Sequence, residues 1–200
     1  RLGWAHGDDE IISTGEAVEW FNLDAVGKSA ARFDIAKLGS LNAHYMRTSD
    51  DRRLVALIAP ALKKTLGRDL GGEDKSRLKR GIGGLKERAK TIVELAENAA
   101  FYVASRPLEM NAKALKILND DGKSHLAALQ GELQALADWS AAGAEEAARA
   151  IAETRGAKLG KIAQPLRAAL TGSNVSPGIF EVLEVLGRDE ALSRIDDALG

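Results

Sequence analysis

Between Arg155 and Leu170 the charged side chains are Arg155, Lys158, Lys161 and Arg167, with no carboxylate among them. A segment of that kind leaves positive potential uncompensated and suits an anionic partner. Within it, Pro165 fixes its own φ and disfavours helical geometry at Gln164, which predicts a bend. Ser176 followed by Pro177 reads as the N-cap and first-turn pair of a further helix. Two helix N-termini about a dozen residues apart would aim unpaired N–H groups at phosphate or base acceptors. An arginine held rigidly there can make a forked contact to one base edge. The same residues also fit a basic interhelical loop packed on a core.

Other constellations carry less chemistry. His6, His44 and His125 are far apart, and none sits at i, i+4 from another histidine or from a carboxylate pair on a clear helix face. His6 beside Asp8, Asp9 and Glu10 reads as a solvated turn. Gly81-Ile82-Gly83-Gly84 follows no strand, so it lacks the context of a dinucleotide loop and predicts a helix break before Leu85. No Ser/His/Asp or paired-carboxylate arrangement supports catalysis. Aromatic residues make up 4% of the chain, too few for a base-stacking platform. Any RNA contact is therefore expected through phosphates and a few base-edge hydrogen bonds to splayed loop bases.

The elements that must position these residues are helical. Ser13-Thr14-Gly15-Glu16 has capping-box spacing before Ala17, Val18, Trp20 and Phe21. Leu54, Leu57, Ile58, Ala61 and Leu62 keep the i, i+3, i+4 rhythm, with Pro60 marking a kink or restart. The longest apolar stripe runs from Leu85 to Val103. Asn111 caps a helix through Leu118, Asp120-Asp121-Gly122 signals a turn, and Leu126 opens the next stripe. An alanine-rich helix follows from Ala144 to Thr154, then helices over Lys161 to Leu170, Pro177 to Leu186 and Asp189 to Leu199. No run alternates as a strand would, so the fold class is all-α, with its boundary expected at Arg106-Pro107-Leu108-Glu109.

The chain has 200 residues, 45% hydrophobic and 28% charged, enough to bury a substantial core. No apolar stretch approaches the roughly 20 residues of a membrane helix and no signal peptide opens the chain, so no membrane partner and a cytoplasmic location are expected. The absence of cysteine excludes disulfides. A net charge of −1 hides segregation: residues 1–24 hold six acidic groups against one basic, while residues 63–90 hold ten basic against four acidic. Two basic clusters together point toward nucleic acid.

The run 158–187 closely resembles the C-terminal anticodon-binding domain of bacterial glutamyl-tRNA synthetases. There a K-G-K-x-x-x-P-L-R-x-A-L-T-G motif precedes a P-G-x-F-E-x-L-x-x-L-G helix. Gly160-Lys161, Pro165-Leu166-Arg167, Ala169-Leu170-Thr171-Gly172, Pro177-Gly178, Phe180-Glu181 and Leu186-Gly187 carry the match. Leu2-Gly3-Trp4 with Asp8, Asp9 and Glu10, then Arg32 to Leu38 and Leu41-Asn42, resembles the segment that follows the family's lysine-rich ATP loop. The resemblance implies a stem-contact remnant over residues 1–41, then a helical anticodon cage of two subdomains, 42–110 and 111–200. It implies tRNA, not DNA, as partner, a monomer, and an ATP- and magnesium-dependent full-length ligase. No cofactor and no catalytic residue are expected in this chain, which should not activate glutamate alone.

By the same resemblance, Arg167 contacts the anticodon together with Ser176, Pro177 and Ile179, and Lys158, Lys161, Lys79 and Arg77 supply tRNA backbone contacts. An arginine that monitors an anticodon base in strict relatives falls at Gly81, or at Arg80 if the register moves by one residue. Glycine there implies acceptance of both glutamate and glutamine tRNAs. The alternative is a helical structural or protein-interaction module whose basic faces only keep it soluble.

Overall fold

Short polar side chains start most of the helices. The computed structural model describes residues 3–28 and 33–200, so Leu2 and Arg32 of the N-terminal resemblance lie outside the described residues. In α1 (Thr14–Trp20) Ser13 and Glu16 close the expected capping box, and α1 buries none of its residues. Asp34 caps α2 (Ile35–Thr48), and Asp50 caps α3 (Asp51–Leu66), which runs unbroken past Pro60 and ends at Gly67 with φ +67°. The chain continues through α4 (Gly72–Lys86), α5 (Ile92–Ala99) capped by Thr91, and a 3-10 turn over Ala100–Tyr102. Asn111, Asn119 and Ser140 then cap α6 (Ala112–Ile117), α7 (Asp120–Ala135) and α8 (Ala141–Thr154). Last come α9 (Leu159–Thr171), α10 (Ile179–Leu186) and α11 (Arg188–Leu199). No strand occurs among the described residues.

Four local expectations change. Gly81 to Gly84 lie inside α4, and the helix stops later, between Glu87 and Thr91, so the Leu85–Val103 stripe is divided between α4 and α5. Within that helix Gly81 packs where only a residue without a Cβ fits: an added Cβ would meet the Tyr102 ring at 2.5 Å. Asp120-Asp121-Gly122 is the first turn of α7, not a turn between helices, since Asn119 accepts from the Gly122 N–H at 2.9 Å.

Pro165 produces no bend out of helix; it is the seventh residue of α9, with Gln164 helical before it. An interior proline costs a helix about 3 kcal/mol. Here Ile162, Pro165, Leu166 and Ala168 to Thr171 are all buried on α9, and packing offsets the missing backbone bond. Ser176 and Pro177 precede the cap position, which is Gly178, so α10 starts two residues late.

One buried apolar cluster runs from Met46 to Ala198 across both expected subdomains. Where they join, three successive carbonyls are each taken by an arginine. Arg194 Nη1 donates to Phe101 O at 2.8 Å, Arg77 Nη1 to Tyr102 O at 3.1 Å, and Arg68 Nη2 to Val103 O at 2.9 Å. The end of a helical run leaves such carbonyls without internal partners, and cations at that end also meet the negative pole of the helix dipole.

Candidate nucleic-acid interface

Arg167 stands on the third turn of α9, half-buried, with no carboxylate in ion-pair reach among the described residues. Its Nε donates to Ser176 Oγ at 2.9 Å, and that hydroxyl donates onward to Pro177 O at 2.8 Å. Ser176 therefore orients the guanidinium from behind while leaving both terminal nitrogens free for an outside acceptor. Burial pushes the Arg167 guanidinium below the usual arginine value, and the like charge of Arg88 adds to the effect. Arg88 is exposed, and its side chain makes no hydrogen bond or ion pair among the described residues.

Arg88, Arg167, Asn174, Val175, Ser176, Pro177 and Gly178 line one open cleft. It adjoins a cavity of about 590 Å³ that shares Arg88, Val175, Ser176 and Pro177 and adds Phe101, Ser105, Leu108 and Thr171. Neither guanidinium has a carboxylate in ion-pair reach among the described residues, but Glu97 and Glu109 also line the cavity, so the positive charge that suits an anionic ligand is confined to the Arg88–Arg167 side and the rest of the wall is mixed polar and apolar. The loop wall is set by Gly84, where an added Cβ would stand 3.2 Å from the Pro177 ring.

The other expected site residues are spread more widely. Ile179 is buried in the core and lines neither space. Gly81 faces the Tyr102 ring inside the protein; an arginine side chain there would collide with it instead of reaching the cleft. Arg80 is tied by Nη2 to Val185 O at 3.1 Å and by Nη1 to Ser76 Oγ at 2.8 Å. Arg77 is engaged with Tyr102 O and largely covered. Lys79 is exposed, and its side chain has no partner among the described residues. Lys158 and Lys161 lie at the opposite end of α9 from Arg167, around a separate cavity with Asp121, which stands 3.9 Å from Lys161 Nζ. The four-cation run is thus divided, since Arg155 also turns away to Ser124 Oγ at 3.0 Å.

The family model for an anticodon binding domain matches residues 53–199. This chain belongs to the anticodon-binding domain family. The domain is 60% identical over its full length to glutamate–tRNA ligase 2 of Paramagnetospirillum magneticum and 57% identical, over 99% of the chain, to that of Rhodospirillum rubrum. The chain spans 42% of the length of each of these relatives. Among solved structures it superposes on a glutamate–tRNA ligase from Elizabethkingia meningosepticum with a TM-score of 0.80 at 29% identity, covering 99% of this chain and 39% of that one.

No group of three His, Asp or Glu side chains could hold a metal among the described residues, and the Gly81–Gly84 segment is helix rather than phosphate loop. No described helix is long and apolar enough to cross a membrane. Arg88 is the functional candidate that sequence reasoning missed. Its only signal was its place in the basic stretch 63–90, where nine other cations compete for attention.

Proposed function

We propose that this domain reads the anticodon of glutamate tRNA within a glutamate–tRNA ligase, the enzyme that attaches glutamate to tRNA using ATP. The observation that carries the reading is the Arg167 fork, braced by Ser176 and left without an anionic partner beside Arg88. The names of the relatives supply the amino acid. Splayed anticodon bases enter the cavity beside Pro177, the two arginines contact base edges or the intervening phosphates, and Lys79 contacts the backbone outside. Bond chemistry belongs to the rest of the enzyme, which works in the cytoplasm as a monomer.

On this reading Arg88, not Gly81, is the position that separates tRNAs. Acceptance of glutamine tRNA rested on a missing side chain at Gly81, and that side chain would have pointed at Tyr102. The glutamate and glutamine anticodons differ at one base, and a forked arginine contact discriminates by about 1–3 kcal/mol, roughly ten- to a hundredfold. Binding of purified glutamate and glutamine tRNAs to wild type and Arg88→Ala tests both levels. Preference for glutamate tRNA that is lost in the variant supports the assignment. Equal binding of both by wild type restores the relaxed reading, and salt-insensitive or absent binding of either points to a structural module.

A further inference from the structure

The two walls of the anticodon groove come from different parts of the chain, and a single buried side chain joins them from behind. Phe101 on the 3-10 turn and Thr171 at the end of α9 both line the 590 Å³ cavity. Arg194 of α11, 1% exposed, donates from the same Nη1 atom to Phe101 O at 2.8 Å and to Leu170 O at 2.7 Å, while its Nε is held by Glu190 Oε1 at 2.7 Å. Both carbonyls lie at helical C-terminal ends, where backbone acceptors lack internal partners and point their negative poles outward. Without a cation between them, the two ends would face each other with like partial charge.

We infer that Arg194 is a positioning residue for anticodon recognition, fixing the separation of the Phe101 and Thr171 walls by holding Phe101 O and Leu170 O with one guanidinium nitrogen. The inference rests on the anticodon-reading function proposed above. Arg167 sits three residues before Leu170 on the same helix, so the clamp also fixes the height at which its fork meets the groove. Arg194 touches no RNA and contributes no phosphate contact, so its loss should alter discrimination without altering the electrostatic part of binding. Methionine at this position fills the volume but donates nothing. Lysine keeps a charge but not the planar fork needed to hold Glu190 and both carbonyls at once.

The test is affinity of the chain for glutamate tRNA and for the same tRNA with an anticodon base that glutamine tRNA shares replaced, measured in wild type, Arg194→Met and Arg194→Lys alongside thermal unfolding. The expected result is a native-to-altered affinity ratio that falls about tenfold in Arg194→Met and less in Arg194→Lys, with the slope of affinity against salt unchanged. A cooperatively folded Arg194→Met protein that keeps the wild-type ratio overturns the inference. If Arg194→Met does not fold, a folded Arg194→Lys protein with the full ratio overturns it equally. A wild-type chain that binds both tRNAs alike instead overturns the anticodon-reading function itself.

Discussion

At the scale of single residues, function concentrates in a guanidinium whose back is satisfied and whose front is not. Ser176 accepts from Arg167 Nε and donates to Pro177 O, so one hydroxyl fixes both the arginine and the loop that faces it. Arg167→Ala removes a forked donor, and tRNA affinity in a filter-binding or fluorescence titration is expected to fall about ten- to a hundredfold. Ser176→Ala leaves the fork in place but unbraced, and its loss is expected to be smaller, about 1 kcal/mol. Because both changes act on one contact, the double variant should lose little more than Arg167→Ala alone. Additive losses would show that Ser176 contacts the RNA independently.

At the scale of elements, α4 is a scaffold built on close approach. Gly81→Ala would drive a Cβ to 2.5 Å from two Tyr102 ring atoms, and overpacking of that kind costs about 1–3 kcal/mol. Urea unfolding should show the loss, while tRNA discrimination by the remaining folded protein should persist, since Gly81 lies away from the groove. Helix content and the caps at Ser13 and Asn111 were legible in the sequence, because capping chemistry and apolar rhythm are local signals, and the sequence neighbours Arg167, Ser176 and Pro177 do meet in space. Local rules failed where tertiary packing overrides them. Pro165 and the Gly81–Gly84 segment look like helix breakers, but both lie on helices with buried faces, Ile162 to Thr171 on α9 and Leu78, Gly81, Ile82 and Leu85 on α4. Arg88 and Arg194 were illegible for a different reason. One is distinguished by the partner it lacks and the other by carbonyls about 93 and 24 residues away, and neither fact has a sequence spacing.

At the scale of the whole molecule, Arg194 ties the second half to the first through Phe101 O, while Arg77 and Arg68 of the first half hold the neighbouring Tyr102 and Val103 carbonyls beside one shared core. Arg68 takes part while also gripping Asp74 at 2.6 Å, and that guanidinium holds the Asp74 carboxyl below its usual range. A depressed carboxylate contributes stability fully above the unfolded value of about 4, and the contribution is lost as pH falls through the lower folded value. Wild type should therefore lose more stability than Asp74→Asn when urea midpoints at neutral pH and near pH 3 are compared; equal losses would remove the pair from the account. The central claim is that the groove between Arg88 and Arg167 reads an anticodon. It is tested most directly by the ratio of affinities for glutamate tRNA and for the same tRNA with one anticodon base replaced, in wild type and Arg167→Ala. The account predicts a wild-type ratio of about ten or more that collapses toward one in the variant, and equal affinity of the wild-type chain for both tRNAs would contradict it.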